Sequence, residues 1–468
     1  MEIFTQIVDF LNGILWTYVL VAMLIACAIW FTIRCKFVQI TMLRDLPVMF
    51  RNCTHEEREE GVERISSFQA FAISIASRVG TGNLAGVAVA IALGGPGAVF
   101  WMWLIAFLGA ASAFVESTLA QLYKIKGESS YIGGPAYYMS IGLKKPWMGA
   151  IFSVLLIFTF GFAFNSVQSN TICQAFEEAF TIPPSYMGTV LTLITAVIIF
   201  GGIQSIARVS SIIVPFMALG YITLALVVIC MNITEIPTVF SLIISHAFGW
   251  EQGLAGGIGA AIQQGIRRGL YSNEAGMGSA PNVAATADVS HPVKQGKVQA
   301  ISVFSDTLII CSCTAFIILV GGIPAGSDAS GIKLTQAALC QQIGPWGNIA
   351  VAIAIFFFAF SSVLGNYYYG EANVQSLSKK PWVLAVYRVI VAAMVLFGSV
   401  ASLSTVWNLA DLFMGMMTIC NLIAIVLLGK YAFRLLEDYR EQKRQGITDP
   451  TFTKDKMPDI AKDLQCWD

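Results

Sequence analysis

The run V-G-T-G-N at residues 79–83 puts Val79, Gly80, Thr81, Gly82 and Asn83 in the middle of a long apolar stretch. Two glycines this close weaken a helix by about 1 kcal/mol each, so a break is expected here. The first half would end in free carbonyls, which suit a cation or an ammonium group. The second half would begin with free N–H groups at a positive dipole end, which suit a carboxylate. Together they describe a zwitterion travelling with a cation. The competing reading is a glycine-mediated helix contact. A second candidate break, G-L-Y-S-N-E-A-G-M-G at 269–278, repeats the asparagine as Asn273 and favours a site. It also holds Glu274, a carboxylate at membrane depth, which is a functional hypothesis by default. Against that stands a structural network in which Glu274, Glu116 and Asp306 neutralise Arg78, Arg267 and Arg268.

Ser361 and Ser362 are adjacent hydroxyls inside another apolar run and could complete an oxygen shell around a small hard cation. Back-bonding to the preceding helical turn is the alternative. Asn165, Gln168 and Asn170 are amides in a further apolar run, costly there unless paired. Phe160, Phe162 and Phe164 beside them read first as packing.

The elements that would position these residues are membrane helices. The chain has 468 residues, 56% hydrophobic and 12% charged, with a mean hydropathy of +0.71. A soluble enzyme, a disordered chain and a nucleic-acid binder are excluded by that balance. Lys+Arg and Asp+Glu are 28 each, so no net charge draws the chain to polyanions. Ten spans of the length a bilayer needs run over 14–33, 67–93, 98–123, 148–172, 186–200, 210–231, 298–320, 349–368, 382–402 and 405–428. The first is too long in its apolar core for a signal peptide. Residues 236–248 are too few to cross and suit an interfacial or re-entrant helix. Residues 254–283, interrupted by Gln263, Gln264, Arg267, Arg268, Asn273 and Glu274, are counted as an eleventh span.

The charge distribution supports eleven. With the N-terminus outside, 24 of the 28 Lys and Arg fall on the cytoplasmic side, as the positive-inside rule requires. With ten spans, Lys294 and Lys297 would lie outside. The two candidate breaks also align at an offset of 190. R-V-G-T-G-N-L-A-G from Arg78 matches R-G-L-Y-S-N-E-A-G from Arg268, and F-V-E-S with Glu116 matches F-S-D-T with Asp306. Five crossings separate them, so the two units have inverted topology, an architecture of secondary transporters. The expected organisation is an extra N-terminal helix and linker (1–65), a first five-helix repeat (66–235), a second (236–430) and a cytoplasmic tail (431–468). The stretch 51–64 and the segment from Arg434 read as solvated faces.

No H-E-x-x-H, G-x-S-x-G or P-loop is present, so neither an enzyme nor transport driven by nucleotide hydrolysis is expected. The ten Cys form no C-x-x-C and the three His no cluster.

Four runs carry a family resemblance: S-R-V-G-T-G-N-L-A-G at 77–86, G-G-P-G at 94–97, G-G-P-A-Y-Y-M at 133–139 and R-R-G-L-Y-S-N-E-A-G-M-G-S-A-P at 267–281. From about residue 65 to 428 the chain resembles the alanine or glycine:cation symporter family. The resemblance implies an all-α integral membrane protein of the leucine-transporter type: about eleven helices, a 5+5 inverted repeat plus one extra N-terminal helix. It implies sodium-coupled uptake of a small neutral amino acid, alanine or glycine, across the cell membrane. By the same likeness the carbonyls of Ala76 and Val79 and the hydroxyls of Ser361 and Ser362 would hold one sodium ion. The Thr81 and Gly82 amides would meet the substrate carboxylate. Ala275 and Gly276 would line the opposing break, and Phe164, Gln168 and Asn366 the pocket walls. Arg78 stands where the leucine transporter has a small residue, which puts a second sodium site in doubt.

The expected function is therefore sodium symport by alternating access. Its partners are a small neutral amino acid and membrane lipid, with no nucleic acid and no nucleotide. Proton coupling through Glu116, Asp306 or Glu274 is the first alternative, and a small-ion channel or exchanger the second. A polytopic membrane enzyme ranks last. Glutamine or serine as substrate stays open.

Overall fold

The computed structural model describes residues 2–45, 65–127, 130–200, 202–249, 255–322 and 331–467. The expectations placed on Arg51, Arg58 and Arg64 and on Leu254 lie outside them, as does the side chain of Arg208.

The fold is helical, with one two-residue hairpin, β1 (Ile125–Lys126) and β2 (Tyr131–Ile132), in a loop. The helices in chain order are α1 (Gln6–Arg34), α2 (Ser67–Arg78), α3 (Gly82–Gly94), α4 (Ala98–Leu122) and α5 (Pro146–Phe180). Then follow α6 (Pro184–Ile199), α7 (Gly202–Met231), α8 (Ile236–Ala247), α9 (Ala255–Asn273) and the short α10 (Pro281–Ala284). The rest are α11 (Pro292–Val320), α12 (Ile332–Ile343), α13 (Trp346–Leu377), α14 (Pro381–Val400) and α15 (Leu403–Arg444). Proline opens α5, α6, α10, α11 and α14, where its missing N–H leaves no bond unmade. Ser66 caps α2 in a capping box with Gln69.

Among the described residues seven helices are long and apolar enough to cross a bilayer, and nine spans result if two bent pairs each count once. One bent pair is α2 and α3, which meet at 49° across the V-G-T-G run. The other is the end of α7 from Pro215 with α8, turned by 82°, the segment expected to be too short to cross. The two expected spans that fall short are α6, by length, and α9, by the polar residues it carries.

The helices sort into two bodies. The broken helix α2/α3 packs with α4, α9 and α11; α5 packs with α6, α13 and α14. The contacts of α13 with α2 join them, and α1 lies against α4 and α15. Large apolar side chains such as Val197, Phe216 and Leu219 face outward, as lipid permits.

One expectation is corrected. The segment from Arg434 is not a solvated face. After α15 the chain folds back on the end of the bundle and buries Phe452, Met457, Ile460, Leu464 and Trp467. These apolar residues are scattered among charges without helical period, so no pattern announces them.

Candidate functional site

The break between α2 and α3 is made by Val79, extended at φ −78° and ψ 94°, which ends the helix. Its consequence is the expected pair of free termini. On the carbonyl side, the Ser362 hydroxyl lies 3.1 Å from the Ala76 oxygen and 3.3 Å from that of Val79. The Ser361 hydroxyl lies 3.4 Å from the Ala76 oxygen. Four uncharged oxygens, one from α2, one from the break at Val79 and two from α13, thus converge. Both hydroxyls also donate back to the Phe358 carbonyl (2.9 and 3.0 Å), so back-bonding and convergence coexist. Among the described residues no three His, Cys, Asp or Glu side chains are placed to hold a metal ion. An all-oxygen neutral set of this kind suits a hard monovalent cation.

On the N–H side, Asn83 in the first turn of α3 accepts from the Gly80 amide at 2.9 Å. The Thr81 amide donates to Gln168 Oε1 at 3.1 Å. Gly80 is wedged against both neighbours: a Cβ there would collide with the Ser362 hydroxyl and sit 3.0 Å from Gln168 Oε1. Above this point stands an aromatic wall. Tyr271 meets Phe164 at 4.5 Å and Trp407 at 4.7 Å between ring centroids, and its hydroxyl bonds to Thr81 Oγ1.

The second break is built differently. After α9, Glu274, Gly276 and Gly278 all take positive φ (57°, 84° and 87°), a conformation only glycine adopts cheaply. Its free amides are already used within the protein. Asn273 Oδ1 accepts from the Ala275 N–H at 3.0 Å. Glu116 spans the Gly276 and Gly278 N–H groups, 3.1 Å each, and takes Asn421 Nδ2 at 2.8 Å. Glu274 accepts from Ser77 (3.2 Å) and Ser279 (2.5 Å). The structure therefore brings Ala76, Val79, Ser361 and Ser362 together, and Gly80, Thr81, Gly82, Asn83, Phe164 and Gln168 together. Gly276 sits instead with Glu116, and Asn273 bonds to Thr307 and to the Ala275 amide. Asn366 lies a turn beyond Ser362, bonded to Ser77 at 3.0 Å and Asn165 at 3.2 Å.

The arginines did not choose the partners expected of them. Arg267 and Arg268 both pair with Asp411 of α15, at 2.6 and 2.5 Å. Arg268 also covers Trp407. Arg78 makes no ion pair among the described residues; its Nη1 donates to the Gln299 carbonyl and to Ser302. Asp306 accepts from Asn83 (2.7 Å), Ser272 (2.7 Å) and Thr307 (2.9 Å). Tyr271, Trp407 and Asp411 were the residues sequence reasoning missed. Asp411 was findable, as an acid inside an apolar span. Tyr271 was findable as the 190-residue counterpart of Thr81. An apolar groove of ≈ 430 Å³ lies elsewhere, between α7 and α13. Its lining is apolar (Phe216, Met217, Phe357), wrong for a zwitterion.

Comparison with known proteins bears on this arrangement. The family model described as the sodium:alanine symporter family matches residues 1–454. The chain is 51% identical to the "Probable sodium/glutamine symporter GlnT" of Bacillus subtilis, covering 100% of this chain and 96% of that one. It is 39% identical to the sodium/alanine symporter AgcS of Methanococcus maripaludis, over 91% and 95%. In fold it is similar to MhsT, solved in complex with L-phenylalanine, with a TM-score of 0.55 at 15% identity over 80% of this chain and 98% of that one. The fold is thus of the leucine-transporter type. The protein is a multi-pass membrane transporter, and the chain belongs to the sodium:alanine symporter family.

Proposed function

We propose that the protein carries a small neutral amino acid into the cell together with sodium, by alternating access. The observation that carries this reading is the pairing, across one helix break, of four neutral oxygens with a run of helix-starting N–H groups. The oxygens of Ala76, Val79, Ser361 and Ser362 would receive the sodium ion. The Thr81 and Gly82 amides would receive the carboxylate, and Gln168, bonded to Thr81 in this structure, would exchange that bond for the substrate. Phe164 and Tyr271 would close over the side chain. Asn273, Ala275, Gly276 and Asn366 would act from the rim, by holding the second break and α13 in place. The proposed orientation has the N-terminus outside and the C-terminus in the cytoplasm, from the Lys and Arg distribution. The proposed divisions are 1–65, 66–235, 236–430 and 431–468.

Uptake of radiolabelled alanine and glycine into proteoliposomes tests the reading, with an inward sodium gradient set against an equal potassium one. Accumulation under sodium alone is expected; equal accumulation under potassium or none would sink it. A second substrate, glutamine, is favoured by the 51% identity to GlnT, and the same vesicles decide between them. Proton coupling has its own observation, three buried carboxylates (Glu116, Glu274 and Asp306) around a single Arg78. It predicts uptake that follows a pH gradient without sodium.

A further inference from the structure

The break at Val79 joins α2 to α3 only through residues 79–81, so any movement of α2 against α3 would turn at that end and be secured at the other. This other end rests on one loop. The Asp288 N–H donates to the Ile65 carbonyl at 2.9 Å, just before the cap of α2. The loop, residues 285–291, joins the second break to α11. It is held from above by Gln121 of α4, whose Nε2 donates to the carbonyls of Ala284 (2.5 Å) and Ala287 (2.9 Å).

From below it is held by the folded-back tail. The Phe452 N–H donates to the Ser290 carbonyl at 2.9 Å, and Ser290 Oγ donates to the Pro450 carbonyl at 2.9 Å. Lys294, buried on α11, pairs with Asp449. Trp467 then closes the strap: its Nε1–H lies 3.2 Å from the carbonyls of both Gln121 and Leu122 at the end of α4. Lys124 lies 4.6 Å over the same ring, and Phe452 meets it edge-on at 5.5 Å. The far side is tied to α15 by Arg434 to Asp459 (2.8 Å) and Lys456 to Asp438 (3.0 Å). The tail therefore touches α4, the loop before α11, and α15, and α2 leans on the loop it clamps.

We propose that residues 446–467 form a latch that holds the cytoplasmic end of the bundle shut, so that α2 cannot move away from α11 until the latch lifts. The inference rests on transport by alternating access, but not on which amino acid or cation is carried. Besides its five buried apolar side chains, the latch is tied to α15 by the exposed pairs Arg434–Asp459 and Lys456–Asp438, which are individually weak and suit a contact meant to open.

The test reads access to α2 directly. Ser74 is fully buried and bonded to Gln299 of α11 at 2.7 Å, so a thiol at that position reports their separation. Ser74→Cys is labelled with a membrane-impermeant maleimide in inside-out vesicles, against the same protein carrying Ser74. Ending the chain after Gly446 is expected to raise the labelling rate about tenfold, the effect of losing a single good anchoring contact on an opening equilibrium. The full-length Phe452→Ala/Trp467→Ala protein is expected to move the same way, and carries the test if the shortened chain fails to fold. An unchanged rate, in protein that is monodisperse and melts as the parent does, overturns the proposal. Labelling needs no substrate, so failure of the symport reading leaves this result interpretable.

Discussion

The hydroxyls of Thr81 and Tyr271 lie 3.2 Å apart, and the two residues are separated by 190 positions, the offset at which the runs from Arg78 and Arg268 align. The next pair at the same offset, Gly82 and Ser272, also touches: a Cβ on Gly82 would lie 2.9 Å from the Ser272 Cα. Two residues that contact their own repeat counterparts must flank the two-fold axis. In an inverted repeat that axis lies in the membrane plane. If the two runs are inverted repeats, the Thr81–Tyr271 contact would mark the bilayer midplane, with the proposed cation and carboxylate sites beside it.

Gly82 packs against Ser272 at the end of α9, so Gly82→Ala is expected to push α3 and α9 apart. The collision is with Ser272 backbone, which cannot yield as a side chain would. Overpacking of this kind costs about 1–3 kcal/mol, little enough for a folded protein. Transport should fall at least tenfold with the melting temperature nearly kept. Wild-type uptake rates in the variant would refute the close approach.

The two serines should differ. Ser362 reaches both carbonyls, at 3.1 and 3.3 Å, whereas Ser361 reaches one, at 3.4 Å. Ser362→Ala is expected to raise the half-saturating sodium concentration by about tenfold, the loss of one ligand to a charged group at about 1.5 kcal/mol. Ser361→Ala should raise it less. Sodium titrations of uptake at saturating amino acid measure both, and equal or reversed effects count against the proposed oxygen set.

Among the described residues Asp411 is the carboxylate that pairs with both Arg267 and Arg268, and all three are largely buried. Asp411→Asn leaves two unmatched cations, and breaking a buried pair costs about 3–5 kcal/mol. A melting temperature lowered by several degrees is expected, with a larger loss than for Arg267→Met. A melting curve unchanged in Asp411→Asn would show that water reaches the cluster.

The latch should loosen in acid. His291 is buried beside Asp438 (3.1 Å), with Lys294 and Lys456 also facing it. Burial holds its imidazole neutral and pushes its pKa down to about 4, from an ordinary 6.5 or so. The undocked ring binds protons more readily, so docking is strongest above the ordinary value and weakens as pH falls from there toward 4. Spin labels on Lys145→Cys and Lys462→Cys should move apart over that window. His291→Gln should flatten the response; an unaltered pH profile in that variant would assign the change to other groups.

Most of the architecture was legible because bilayer-crossing helices must be apolar and about twenty residues long, a strong signal. The breaks were legible for the same reason: Gly80, Gly82, Asn273 and Glu274 are conspicuous against apolar neighbours. The charge pairing was not. Arg267 and Arg268 lie nearer in sequence to Glu274, yet Asp411, more than a hundred residues on, takes both, because helix packing and not spacing decides who meets whom. Glu116 was read as a counter-ion and proved to be a cap on the second break, a role that depends on the positive φ of Gly276 and Gly278. The docked tail left no periodic pattern at all.

Helix α15 runs unbroken for 42 residues. It carries Asp411 toward one face, Asn421 at the second break and Asp438 under the latch. Asp411 and Asp438 stand about 40 Å apart along the rod, at about 1.5 Å per residue. A stiff lever of that length cannot tilt at one end only: leaning by about 5° displaces one end by roughly 3.5 Å relative to the other. The ion-pair cluster with Arg267 and Arg268 and the clasp around His291 are thus two ends of one beam, and strain introduced at either is felt at the other.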